Sequence, residues 1–445
     1  MKKQPEIQVG IMSEEKLSFS FENVYLLQKD KLFQPGNYSA FFENKKICIE
    51  YEKGEKVYGN EFLFIPKNPD SGFILKGVTI GIDFHWQQKE NQRFNGGLKL
   101  INEDGKIRAI NVIPLEEYLK SVISSEMSAT ASFALLKAHA VISRSWLLAQ
   151  IEKTKSLKSG EGIYQTSFET EDEIIRWYDR EDHHNFDVCA DDHCQRYQGT
   201  SKIYSENAVK AVEDTFGEVL IFEDKICDAR FSKCCGGISE NFENVWEPIR
   251  YRYLTKVVDS EIGDTTCVDL RQEDEAEIWI RNQPHAFCKT NNKKILSQVL
   301  PDFDQLTTDF YRWKVEYSQK EISGLINVKS GIDFGEIVKL EAIKRGHSSR
   351  IIKLKITGTK KELVLGKELE IRKWLSESHL YSSAFVVDHL YNKNGIPQKI
   401  VLTGAGWGHG VGLCQIGAAV MGEKGYSYKE ILNHYFKASE LKLMY

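Results

Sequence analysis

Pro114-Leu115-Glu116-Glu117-Tyr118-Leu119-Lys120-Ser121-Val122-Ile123-Ser124-Ser125-Glu126-Met127 is the stretch on which the reading of this chain turns. Proline at the first helical position has a preset φ and no N–H to waste, so Pro114 opens a helix. Leu115, Tyr118, Leu119 and Val122 recur at helical spacing and define a buried stripe. Four residues further along, that stripe reaches Glu126. Glu116 and Glu117 lie in the first turn, where carboxylates suit the helix dipole. The helix thus carries two ordinary acids and one out of place. A carboxylate held against apolar neighbours is a proton donor near neutral pH. The alternative is a structural acid paired with Arg or Lys.

A second helix is expected from Ser132 to about Lys153. It is Ala/Leu-rich and apolar almost all round, which marks a central helix. Lys137, His139 and Arg144 interrupt it, and polar groups on a buried helix need partners or a cleft. Near the other end, Gly404-Ala405-Gly406-Trp407-Gly408-His409-Gly410-Val411-Gly412-Leu413-Cys414-Gln415 packs glycines densely around His409 and Gln415. No Gly-Lys-Ser/Thr follows, and no strand-to-helix G-x-G-x-x-G unit fits, so phosphate-loop chemistry is disfavoured.

Five blocks in order, "VIPLEEYLKSVISSEM", "ALLKAHAVISRSWLLAQ", "DVCADDHCQRYQG", "CCGGISENFENVW" and "GAGWGHGVGLCQIGAAVMGEKGYSYKEILNHYF", resemble the stage II sporulation protein D / LytB (SpoIID) family of peptidoglycan lytic transglycosylases. The resemblance runs from roughly Leu100 to the C-terminus. It implies cleavage of glycan strands between N-acetylmuramic acid and N-acetylglucosamine, with Glu126 as the catalytic acid. Ordinary glycosidases use two carboxylates. A lytic transglycosylase uses one, because the muramic acid C6 hydroxyl attacks within its own sugar and orientation replaces a bound water. Glu126 would protonate the glycosidic oxygen and then accept the hydroxyl proton, leaving a 1,6-anhydro end.

Lys137, Arg144, Ser232, His409 and Gln415 are the substrate-binding candidates, and Glu126 is expected to face a groove whose far wall is Gly404–Gln415. There the absent side chains would let the backbone approach a disaccharide. The alternatives are ion pairs of Lys137 and Arg144 with Glu116, Glu117 or Glu240, a His409 that only pins the glycine loop, and glycines that only permit tight packing. LytB-type relatives imply another role, a non-catalytic glycan-binding enhancer of another cell-wall hydrolase. The chain departs from the family pattern at Ser128 (usually Pro), His139 (usually Gln), Lys233-Cys234-Cys235 (usually a Ser before Ser-Gly-Gly) and Cys414 (usually Ser).

Nine cysteines exclude a complete set of intramolecular disulfides. Cys189, His193 and Cys194, with His183 or His184 upstream, form a soft four-ligand set suited to structural zinc. A Cys189–Cys194 disulfide is the alternative. The resemblance favours the metal, since some family members carry zinc at this segment. With four protein ligands no position stays open for water, and no His-Glu-x-x-His is present, so a zinc hydrolase is disfavoured.

The remainder supplies context. Lys plus Arg is 59 against 64 Asp plus Glu, a net charge of −5, which argues against a general nucleic-acid binder. No apolar run approaches a membrane span. The resemblance implies the bacterial cell envelope; Met1–Ile7 carries no apolar signal-peptide segment, which leaves the cytoplasm as the alternative. Residues 1–98 read as short alternating strands, and Asp104-Gly105 as a hairpin turn. Residues 99–445 read as the catalytic domain, with a helical and β insertion at about 269–395. Aromatics there, Trp279, Phe303, Tyr311 and Trp313, are expected in a core. The fold class is α+β, a helical catalytic core assembled from distant segments with β-rich parts around it.

Overall fold

The computed structural model describes all residues except 1–2, 28–30, 52–53, 82–86, 129, 159–164, 179–182, 192, 204, 262–267, 300–306 and 392–393, so Phe303 and Cys267 lie outside the described residues. The α+β class is observed. Two mostly antiparallel sheets face each other in the N-terminal part. Alternation drives them together: in Lys16–Phe21 the residues Leu17, Phe19 and Phe21 are buried and their neighbours are not. Phe19, Phe21, Tyr38 and Phe64 interlock between the sheets with ring centroids 5.2–6.1 Å apart. The expected hairpin joins Gly97–Glu103 to Lys106–Pro114, with positive φ at both Asp104 and Gly105. One sheet runs across residue 98, since Leu98 pairs with Phe64 and Glu6–Glu14 pairs with Lys106–Pro114.

That sheet delivers the chain directly into helix α1, Leu115–Glu126, capped by Pro114. Helix α2, Phe133–Lys158, follows and is buried on most sides, with Leu135, Leu136, Ala138, Ala140, Val141 and Ile142 in the core. Helix α3, Glu206–Asp214, packs on both. Helices α1, α2 and α3 share one hydrophobic core with Val411, Leu413, Ile416 and Tyr435, although these lie far apart in sequence. A second core gathers Trp313, Ile322, Leu340, Leu354, Trp374 and Leu402. It is built from the expected strands, Ile337–Arg345, Ile351–Gly358 and Glu362–Gly366. Trp279, Tyr311 and Trp313 are buried as expected. No helix among the described residues is long and apolar enough to cross a membrane.

Candidate functional site

Glu116 lies in the first turn of α1 as expected and is 3% exposed. Its carboxylate accepts Arg144 Nε at 2.8 Å and Nη2 at 2.7 Å, and the Tyr445 hydroxyl also donates to it. A fork-on-carboxylate pair of this kind is geometrically locked. Arg144, itself fully buried, is therefore a structural cation tying α2 to α1, and the expectation that it reaches a sugar is corrected. Glu117 pairs with Lys120. Glu126 stays half-buried at the last turn and accepts the Arg196 N–H at 3.3 Å. Among the described residues it makes no ion pair.

On α2 the spacing separates two faces. At 3.6 residues per turn, His139, Ser143, Trp146, Gln150 and Thr154 line one face, and Lys137 and Arg144 point roughly 140–160° away. Lys137 accordingly leaves the first face and pairs with Asp214 at 2.8 Å on α3, above the Phe133 ring. On the first face, His139 Nδ1 lies 3.3 Å from Ser143 Oγ, and its Nε2 lies 3.1 Å from Gln415 Nε2. Burial, and then the Lys233 charge, push the His139 pKa down to about 3, so the ring is neutral. With Gln415 donating to Nε2, the single ring proton sits on Nδ1 and faces Ser143. Gln415 is 2% exposed and committed to this interior contact, so it fixes the glycine block against α2.

The glycine block packs on protein at most of its positions. A Cβ on Gly406 would meet Cys234 O at 2.7 Å, on Gly410 the Arg350 guanidinium at 2.3 Å, and on Gly412 Arg230 O at 2.0 Å. Those positions require glycine for close packing and for positive φ, which corrects the expectation that they stand open to a disaccharide. Gly408 alone of the four has room, with Ser232 Cβ at 3.4 Å. Ser232 is buried, and its hydroxyl finds no partner among the described residues. His409 is half-buried. Its Nδ1 accepts the Val411 N–H at 3.0 Å and its ring stands against Trp246, centroids 5.0 Å apart. Burial, with Arg230, Arg350 and Arg372 nearby, holds its pKa well below the usual imidazole range.

His183, Cys189, His193 and Cys194 present ligand atoms all within 4.8 Å of one another, and it is His183, not His184, that joins the group. Cys194 Sγ lies 3.4 Å from His183 Nε2 and 3.5 Å from His193 Nδ1. The Cys194 thiol, with the two imidazoles, holds the Cys189 pKa far below that of a free thiol. Two soft sulfurs and two imidazoles fit a tetrahedral zinc. The first strand anchors this loop: Val188–Cys189 pairs in parallel with Val9–Gly10, and Phe186 covers the face of Gly10, where a Cβ would fall 2.6 Å from its ring. Tyr197 then stacks on Tyr118 of α1 at 4.9 Å.

A pocket lies between this loop, the first face of α2 and the Trp246 segment, lined by Trp146, His183, Cys194, Arg230, Trp246 and Glu247 among others. Arg230 lies 4.0 Å over the Trp246 ring, and the buried Trp246 Nε1 has no partner among the described residues. Sequence reasoning missed Arg230 and Trp246. Trp246 stood inside the block ending "ENVW", and a Trp in a polar stretch was the available signal. Contacts also join the end of α1 to the glycine block. Ser128 N–H donates to Gln298 O at 2.9 Å, Lys233 Nζ to Val299 O at 2.9 Å, and Ile416 N–H to Lys233 O at 3.1 Å.

Glu126 thus stands at a helix end, joined to the His183–Cys194 loop through the Arg196 N–H. The chain carries a SpoIID domain: residues 103–222 match the family model described as stage II sporulation protein, and residues 240–412 match one described as a domain of unknown function. An uncharacterized protein of Brachyspira hyodysenteriae is 23% identical over 408 residues, covering 91% of this chain and 83% of that one. Stage II sporulation protein D of Bacillus amyloliquefaciens is 23% identical over 75% of each chain. The amidase enhancer of Bacillus subtilis is 24% identical over 73% of this chain but only 40% of its own length.

Proposed function

We propose that this protein cleaves peptidoglycan glycan strands as a lytic transglycosylase in the cell envelope, with Glu126 as general acid and then base. The observation that carries the reading is that Glu126, alone of the three acids on α1, is neither buried in an ion pair nor tied to a lysine, and is held in place by one backbone N–H. Such a carboxylate can gain and lose a proton without breaking the fold. Protonation of the glycosidic oxygen by Glu126 frees the leaving sugar. The same carboxylate then takes the proton of the muramic acid C6 hydroxyl as that oxygen closes on C1. Ser232, with its unpartnered hydroxyl, the Trp246 indole N–H and the backbone at Gly408 are the groups that would hold the glycan. His409 would orient Trp246 and stay neutral. A zinc ion held by His183, Cys189, His193 and Cys194 would be structural, fixing the loop that carries Arg196.

The likeness to an amidase enhancer favours one other reading, a glycan-binding partner of another wall hydrolase. Glycan digestion by the purified protein separates the two, because an enhancer alone leaves strand ends unchanged and an active transglycosylase produces 1,6-anhydro ends that Glu126→Gln abolishes.

A further inference from the structure

The departures at Cys234-Cys235 and Cys414 lie far apart in sequence and meet in the interior. Phe231–Ser232 and Leu413–Cys414 pair as parallel strands, so the two segments run side by side. The Cys235 N–H donates to Cys414 Sγ at 3.2 Å. Cys288 arrives from a third segment, its Sγ 3.6 Å from Cys235 Sγ. Asp259 closes the group, with its Oδ2 accepting the Cys288 N–H at 2.9 Å. One ligand atom from each of Cys235, Asp259, Cys288 and Cys414 lies within 4.8 Å of all the others, and all four residues are buried.

Among the described residues no cation pairs with this cluster. Asp259 is fully buried, and among the described residues no Lys, Arg or His pairs with it; its Oδ1 accepts the Tyr435 hydroxyl at 2.6 Å. Buried carboxylates are paired or coordinate metals. The three cysteines are free thiols. Their sulfurs are furnished with N–H donors of the kind that steady thiolate ligands, from Cys235 to Cys414 and from Gly237 to Cys235 at 3.4 Å. Cys414 also caps the helix Gln415–Glu423, where the dipole favours a thiolate. A separation of 3.6 Å between two sulfurs matches the edge of a tetrahedron with zinc–sulfur bonds of about 2.3 Å.

We propose that Cys235, Cys288, Cys414 and Asp259 bind one zinc ion in a closed tetrahedral site separate from the His183–Cys194 loop. Binding would displace the thiol protons to solvent. With three sulfurs and one oxygen from the protein, no position remains for a substrate, so the site is structural. It would staple four segments that meet only in the fold: the stretch just after the Phe231–Ser232 strand, the Asp259 segment, the turn at Cys288, and the start of the helix carrying Gln415. These frame the glycine block, so the metal would fix that block against the Ser232–Cys235 stretch.

The test is zinc stoichiometry of the full chain by elemental analysis and native mass spectrometry. The double variant Cys189→Ser, Cys194→Ser removes the loop site and leaves the buried one. It should retain one zinc per chain, and adding Cys288→Ser should abolish it. A loop variant that holds no zinc, or a Cys235–Cys288 disulfide found by peptide mapping, overturns the proposal. Should the loop variant fail to fold, X-ray absorption at the zinc edge of the unaltered chain gives an independent readout. An average above two sulfurs per zinc is expected, and two or fewer overturns it, since the loop site alone supplies two thiolates.

Discussion

The backbone N–H of Arg196 donates to the Glu126 carboxylate at 3.3 Å, and Arg196 stands two residues beyond Cys194. The acid and the soft-metal loop are therefore one mechanical unit. Tyr197 stacked on Tyr118 is its second fastening. Whatever holds the loop also holds the donor that orients Glu126.

Loss of the loop metal should consequently lower stability and activity together. Cys194→Ser, or removal of metal by a chelator, is expected to release the loop and reduce the melting temperature by several degrees. Glycan cleavage should fall in parallel. Thermal scans and digestion assays at matched metal content check this; full activity at zero loop-bound zinc would contradict it.

Arg144 and Glu116 should behave as a structural pair. Arg144→Ala leaves a buried carboxylate without its cation, and a cost of about 3–5 kcal/mol is expected. Chemical denaturation measures it. Variants of this pair that still fold should bind glycan with unchanged affinity, because neither charge reaches the pocket.

His139 should make the protein acid-sensitive. Its folded-state pKa is pushed down to about 3. An unfolded histidine titrates near 6.5. Below about pH 6.5 the unfolded chain takes up a proton that the folded chain refuses. Stability is thus fully present above that pH and declines as pH falls toward 3, at up to about 1.4 kcal/mol per pH unit from this group. His139→Gln keeps a hydrogen-bonding side chain there and should flatten the stability profile in that window relative to the parent. Identical profiles for the two proteins would be the contrary result.

Trp246 should act on binding. Trp246→Phe keeps the ring but removes the unpartnered indole N–H, a donor worth about 1 kcal/mol to a bound acceptor, so KM should rise roughly five-fold with a smaller change in kcat. A fall in kcat alone would place Trp246 elsewhere in the chemistry.

Local periodicity made the two helices, the Asp104-Gly105 hairpin and the three strands after Gly335 legible in the sequence, because each is fixed by near neighbours. The grouping of Cys189, His193 and Cys194 with an upstream histidine was legible for the same reason, whereas the choice of His183 over His184 was not. The Arg144–Glu116 pair was only one of several pairings left open, because helix spacing carries no information about which acid faces the next helix or about Tyr445 near the end of the sequence. The glycine block was read as open because density of glycine cannot distinguish a ligand from Arg350 or the Arg230 carbonyl pressing on the backbone. Cys235, Asp259, Cys288 and Cys414 have no spacing pattern at all; only the pairing of Phe231–Ser232 with Leu413–Cys414 brings two of them together.

The central claim is that Glu126 moves the proton that breaks the glycan. Mass spectrometry of purified glycan strands digested by the parent protein and by Glu126→Gln tests it most directly. The account predicts 1,6-anhydro-ended products from the parent and a loss of about 10²-fold or more in the variant, with the melting temperature unchanged. Anhydro products at undiminished rate from a folded Glu126→Gln protein would contradict it.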